Sequence, residues 1–178
     1  KSTLLKIIFG TLKASNIKMN LNHKSLSPSK VILQKNIAYL PQHSFLPINS
    51  KVRDIIPIYY QNQEEQDKIF YDSQIALISS QKIKELSIGQ LRYLQVLLIG
   101  NLKREFILLD EPFSMIDPLY KEKISELLIS LQKEKGIIIT DHYYNDVLNI
   151  ATKNILIKEG ISISINNKDD LKKFNYIQ

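Results

Sequence analysis

The apolar residues of this chain follow two periods in turn, one helical and one extended. Leu4, Leu5, Ile7, Ile8 and Phe9 are spaced as one face of a helix over 4–9, which Gly10 should stop. Residues 11–33 are mixed, with short strand-like pieces and a turn expected at Ser27-Pro28-Ser29. A short strand is predicted over 37–40, ended by Pro41-Gln42. Prolines then interrupt 44–57, a polar stretch covers 61–67, and helical spacing returns over 69–78 and 91–102. Residues 106–109 are four apolar positions in a row followed by two acids, the pattern of a parallel strand buried on both faces. A long amphipathic helix is predicted over 118–135, with Ile124, Leu127, Leu128 and Leu131 on one side and Gly136 closing it. A second buried strand over 137–140, a helix over 145–151 and strands over 155–157 and 161–165 complete the order. No repeat or linker interrupts it. Strands alternating with helices predict an α/β fold with a mostly parallel sheet and a helical insertion at about 44–103.

Composition narrows the chemistry. A chain of 178 residues with 44% hydrophobic and 24% charged residues suits one globular domain and excludes disordered or low-complexity classes. The absence of Cys removes disulfides, thiolate metal sites and cysteine nucleophiles, and His23, His43 and His142 are too scattered for a zinc cluster. Apolar runs such as 96–99 and 137–139 fall far short of the roughly 20 residues of a membrane helix. The net charge of +6 reads either as an anion-binding surface or as a Lys, Ile and Asn bias spread over the chain. Arg occurs only at Arg53, Arg92 and Arg104, which argues against a dedicated nucleic-acid reader.

Polar residues cluster where the predicted strands and helices end. Lys1-Ser2-Thr3 ahead of an apolar helix matches the last part of a phosphate loop, G-x-x-x-x-G-K-[ST], and equally any helix start with hydroxyls near its cap. On the first reading the loop glycines and the strand before them are missing from the sequence. Asp110 and Glu111 follow a buried strand at the sheet edge where ligands bind, so one carboxylate could hold Mg²⁺ and the other poise a water; a solvated acidic turn is the alternative. Leu86-Ser87-Ile88-Gly89-Gln90 opens an apolar helix, either as an anion site or as an ordinary serine cap. Thr140-Asp141-His142 and Tyr39-Leu40-Pro41-Gln42 end two more strands with a histidine and an amide.

Taken together, these segments resemble the ATPase subunit of an ATP-binding cassette (ABC) transporter, and the resemblance runs over essentially all 178 residues. It rests on a Walker A remnant Lys1-Ser2-Thr3, a Q-loop Gln42, a signature at 86–90, a Walker B strand ending in Asp110-Glu111, a D-loop Met115-Ile116-Asp117 and a switch His142, in family order and spacing. The resemblance implies a P-loop NTPase (RecA-like) core from 1–43 and 104–178 and a helical signature subdomain from 44–103, one domain lacking its N-terminal strands and phosphate-loop glycines. It implies ATP and Mg²⁺ as ligands. Lys1 would bridge the β- and γ-phosphates, Ser2 would ligate Mg²⁺, and Thr3 would add a phosphate contact. Asp110 would hold the metal through its shell, Glu111 would be the general base, Gln42 would touch the metal or the attacking water, and His142 would contact the γ-phosphate. Ser87, Gly89, Gln90 and Asp117 would act across a head-to-tail dimer with a second cassette. A transmembrane permease would dock near Gln42 and the helical subdomain, with Phe45 and Leu46 as exposed contacts, placing the protein on the cytoplasmic face of a membrane, with no nucleic acid expected.

Thr140-Asp141-His142 and 158–160 resemble the lipopolysaccharide-export and branched-chain amino-acid branch. Two departures stand out. Ile88 occupies the first glycine position of a signature that usually reads Leu-Ser-Gly-Gly-Gln, so the backbone there must be tolerant or shifted. The incomplete phosphate loop leaves the sequence as written expected to bind ATP poorly and to be inactive. A soluble ABC-type ATPase acting on the ribosome or nucleic acid, and a degenerate cassette without turnover, are the competing readings.

Overall fold

The computed structural model describes residues 1–177. Helix α1 (Ser2–Phe9) ends at Gly10, whose φ of 87° turns the chain so that the Thr11 N–H reaches the Lys6 carbonyl. Two short strands, β1 (Asn20–Leu21) and β2 (Lys24–Ser25), pair antiparallel around Asn22 and His23, both at positive φ. The turn expected at Ser27-Pro28-Ser29 is instead the start of α2 (Pro28–Gln34). Proline at the first helical position has its φ preset and no N–H left unsatisfied, so here it opens a helix.

Three strands, β3 (Ile37–Leu40), β4 (Phe106–Asp110) and β5 (Gly136–Thr140), form a parallel sheet in the order β3-β4-β5. Alternation sends Ile37 and Leu108 to a core under α1 and α2, and Ala38, Leu40, Ile107 and Leu109 to the main core on the other face. The central strand β4 is buried from Ile107 to Asp110, as expected. The second expected buried strand is not: β5 is half-covered, with Ile138 43% exposed, because among the described residues only β4 pairs with it. Gly136 opens β5 and does not close a helix; a side chain there would meet the Phe106 ring at 2.4 Å.

Between β3 and β4 lie α3 (Val52–Tyr59), α4 (Gln63–Phe70), α5 (Ser73–Ile78), a single 3-10 turn at Ile83–Glu85 and α6 (Ile88–Gly100). The polar stretch is helical: Asn62 caps α4 and Glu64 and Glu65 sit in its first turn. The helix expected over 69–78 is two helices, because the Asp72 carboxylate accepts from the N–H groups of Gln74 and Ile75 and starts a new one. Pro57 is accommodated inside α3. Helix α6 is buried on nearly all sides and packs against α7 (Pro118–Leu131), which Asp117 caps. After β5 come α8 (Tyr144–Ile150), an antiparallel hairpin of β6 (Asn154–Lys158) and β7 (Ile161–Ile165), and α9 (Lys168–Lys173), which no periodicity predicted. The main core is continuous from β3 and β4 through α3–α7. Leu46 belongs to it at 4% exposure, which corrects its expected place on the surface. An apolar cleft of about 710 Å³ is bounded by α1, β5, α8 and β6. Among the described residues no helix is long and apolar enough to cross a membrane.

Candidate functional site

Parallel pairing in register brings three strand ends together: Leu40 is level with Leu109, and Asp110 with Thr140. The residues that follow each strand therefore emerge side by side, beside the start of α1. Asp110 is 1% exposed and is surrounded by hydroxyls: Ser2 Oγ and Thr140 Oγ1 donate to its Oδ1 at 3.0 and 2.7 Å, and Tyr39 Oη donates to Oδ2 at 3.1 Å. Three donors to one carboxylate make its burial as an anion tolerable. Burial, then the charge of Asp110 and the hydrogen bond to it, push the Tyr39 phenol up to about 12.

Glu111 is the hub of a second set. Gln42 Nε2 and Ser114 Oγ donate to its Oε2, both at 2.9 Å, and His142 Nε2 lies 3.2 Å from Oε1. Its backbone is left-handed, at φ 54°. Lys1 lies alongside, its ammonium donating to the Asp141 carbonyl at 2.8 Å and the Tyr176 hydroxyl at 2.9 Å, with His142 Nδ1 at 3.5 Å. Buried Asp141 accepts from the N–H groups of Phe113 and Tyr143, tying the loop after β4 to the loop after β5. Lys1, Ser2, Gln42, Asp110, Glu111 and His142 thus converge, while Thr3 stands exposed on the first turn of α1.

Ser87, Gly89, Gln90 and Asp117 form a separate group. Ser87 and Gln90 cap each other: Gln90 N–H donates to Ser87 Oγ at 3.1 Å, and Ser87 N–H donates to Gln90 Oε1 at 2.8 Å. Asp117 accepts from Tyr120 N–H at 3.1 Å. A side chain on Gly89 would meet Tyr120 at 2.5 Å and the Asp117 carboxylate at 2.9 Å, so the start of α6 and the start of α7 form one surface. Ile88 is simply the first residue of α6, is 61% exposed, and needs no positive φ. The backbone conflict expected of it does not arise.

The sequence model of the ABC transporter family matches residues 1–114, more than half of the chain. The chain belongs to the ABC transporter family. Among ABC relatives it is 26% identical over 183 residues to the carnitine transport ATP-binding protein OpuCA of Listeria monocytogenes, covering 96% of this chain and 46% of that protein. It is 24% identical to the lipopolysaccharide export system ATP-binding protein LptB of Haemophilus influenzae, covering 90% and 71% respectively. It is 32% identical to the chelated iron transport system membrane protein YfeB of Yersinia pestis, covering 90% and 59%. The chain thus spans about half the length of the first of these relatives. A nucleotide-free ATP-binding cassette from an ABC transporter superposes with a TM-score of 0.79 at 18% identity, covering 99% of this chain and 79% of that one. Another ABC cassette reaches 0.81 at 19% identity, covering 97% and 78%. The α/β fold is that of these solved ATP-binding cassettes.

Several polar residues of this ABC chain reach the clusters although the sequence reading assigned them no role, among them Tyr39, Ser114 and Thr140, and Arg92, which donates to the Asp110 and Glu111 carbonyls. Tyr39 and Thr140 lie within predicted strands, where alternation sets their side but not their partner. Ser114 is three residues past Glu111 in a loop whose path only the fold defines. Arg92 did carry a signal, as a lone cation in an apolar helix that a solvated face would not explain.

Proposed function

We propose that this chain is the ATP-hydrolysing motor of an ABC transporter, with Glu111 as the general base. The observation that carries the reading is the convergence of Gln42, Ser114 and His142 on the two oxygens of Glu111, next to the Ser2–Asp110 pair. A carboxylate held by two neutral donors and an imidazole is aimed, and an aimed base can take a proton from water as it attacks the γ-phosphorus. That proton passes to the Glu111 carboxylate, and His142 faces the developing phosphate charge. Lys1, on the same side, supplies a fixed positive charge for the phosphates.

The donor set near Ser2 suits Mg²⁺: a hydroxyl and a carboxylate 3.0 Å apart, all oxygen, with no soft ligand beside them. Ser2 and Asp110 would hold the ion, which when bound neutralises phosphate charge. Gln42, whose amide donates to Glu111 Oε2, would touch the ion or the attacking water. Ser87, Gly89, Gln90 and Asp117 belong, in this reading, to the face that meets a second cassette and caps its ATP. Support comes from the single surface that the starts of α6 and α7 build, where Ile88, Met115 and Leu119 are all exposed. A permease would contact the segment after Gln42 and α3, where Phe45, Ile48 and Ile58 are exposed. The protein then works at the cytoplasmic face of a membrane, with 1–43 and 104–178 as the nucleotide core and 44–103 as the subdomain that meets the permease.

The test is Glu111→Gln in the full-length protein. ATP turnover should fall on the order of 100- to 10,000-fold while ATP binding persists, and affinity capture from detergent-solubilised membranes in the presence of ATP should recover a polytopic membrane protein. Unchanged turnover would remove Glu111 as the base. Recovery of ribosomal subunits without a membrane protein would replace the transporter with a soluble machine.

A further inference from the structure

Arg92 lies on α6, five residues after Ser87, and is 6% exposed. Its guanidinium donates to four backbone carbonyls that belong to two different strand ends. After β3 it reaches Pro41 O at 2.9 Å and Gln42 O at 3.2 Å; at the end of β4 it reaches Asp110 O at 2.9 Å and Glu111 O at 2.8 Å. The Gln95 side chain accepts a weaker bond at 3.4 Å and itself donates to Ser44 Oγ at 2.9 Å. Burial pushes the Arg92 pKa down, and the charges of Asp141, Asp110 and Glu111 oppose that shift.

Glu111 is the residue with most to gain from this arrangement. It is not glycine, yet its φ is 54°, a conformation that side-chain sterics disfavour and that persists only where the surroundings enforce it. Two bonds do so. Its N–H donates to Thr140 O at 2.7 Å, and its carbonyl accepts from Arg92. With both sides of the residue held, its carboxylate oxygens meet Gln42 and His142. Only a planar fork with several fixed donors can span both strand ends; an ammonium has three donors around one point.

We propose that Arg92 is a positioning residue for ATP hydrolysis: its guanidinium holds Glu111 in the left-handed conformation that aims the carboxylate, and sets the Gln42 backbone by the same contacts. The proposal rests on the reading of Glu111 as the base. It adds that the helix carrying Ser87, Gly89 and Gln90 is physically tied to the hydrolytic residues of its own chain, so a shift of α6 moves Glu111 and Gln42 together.

The experiment compares Arg92→Gln and Arg92→Lys with the wild type in the full-length chain assembled with its membrane partner, measuring kcat, the Kd for ATP and the thermal midpoint. In Arg92→Gln, kcat should fall on the order of 100-fold while the ATP Kd stays within about threefold. Arg92→Lys keeps the charge and some of the bonds, and should recover part of the lost kcat with the same unchanged Kd. If Arg92→Gln does not fold, the lysine variant decides alone: a reduced kcat at constant Kd supports the proposal. Wild-type kcat in Arg92→Lys overturns it, and so does a loss of kcat matched by an equal loss of ATP affinity, which marks a role in packing alone. Glu111→Gln, run in parallel, reads the underlying assignment without touching Arg92; wild-type turnover there removes that assignment and the proposal with it.

Discussion

Asp110 is a buried carboxylate made tolerable by three hydroxyls, and its neighbour Tyr39 shows what each contributes. Tyr39→Phe leaves Asp110 Oδ2 without its phenol donor and should cost about 1 to 2 kcal/mol of unfolding free energy at neutral pH, read from urea denaturation. The same phenol makes a pH prediction. Its pKa is raised to about 12 from 10.0, and burial also raises those of Tyr60 and Tyr93. Between the unfolded and folded values the folded state retains protons that the unfolded chain has lost. Stability should therefore be full below pH 10 and fall as pH rises from 10 toward 12. Denaturant midpoints measured across that window should slope downward, and Tyr39→Phe should flatten the slope. A flat wild-type profile would contradict the buried-phenol picture.

At the level of elements, two glycines govern how helices meet their neighbours. Gly10 combines φ 87° with a close approach: a side chain would lie 2.1 Å from the Pro28 carbonyl oxygen. Gly10→Ala therefore has nowhere to go without separating α1 from α2, and should cost about 2 kcal/mol or more. At Gly89 the obstacle is the Tyr120 side chain, which can move, so Gly89→Ala should cost about 1 to 3 kcal/mol. Urea midpoints of the two variants check the order. Gly10 was legible in the chain because a glycine after an apolar helix is a known stop. The close approaches were not, since Pro28 and Tyr120 are distant in sequence and only packing brings them near. Pro28 illustrates the converse: the tripeptide Ser27-Pro28-Ser29 permits a turn or a helix start, and contact with α1 decides for the helix.

Across the whole molecule, the segment after Gln42 divides into an inside and an outside that hydrophobicity alone does not separate. Leu46→Ala should destabilise the fold by about 2 to 4 kcal/mol, because Leu46 lies in the main core. Phe45→Ala, at a site 39% exposed, should leave stability and basal ATP turnover near wild type while reducing transport in proteoliposomes holding the permease. Equal losses of transport and basal turnover in Phe45→Ala would instead place Phe45 in the fold of the motor.

Periodicity and strand-end chemistry were local properties, so the sequence by itself determined the α/β class, the buried strand β4, and the placement of Gln42, Asp110, Glu111 and His142 at element ends. The tertiary structure alone decided which atoms those residues meet. Register places Thr140 level with Asp110; the loop after β4 turns Ser114 back onto Glu111; and α6 crosses the strand ends so that Arg92 reaches four carbonyls. It also left β5 half-covered, although its residues are as apolar as those of β4. An apolar run states that a strand can be buried. Whether it is depends on how many neighbours pair and pack against it, and that is a property of the assembled sheet.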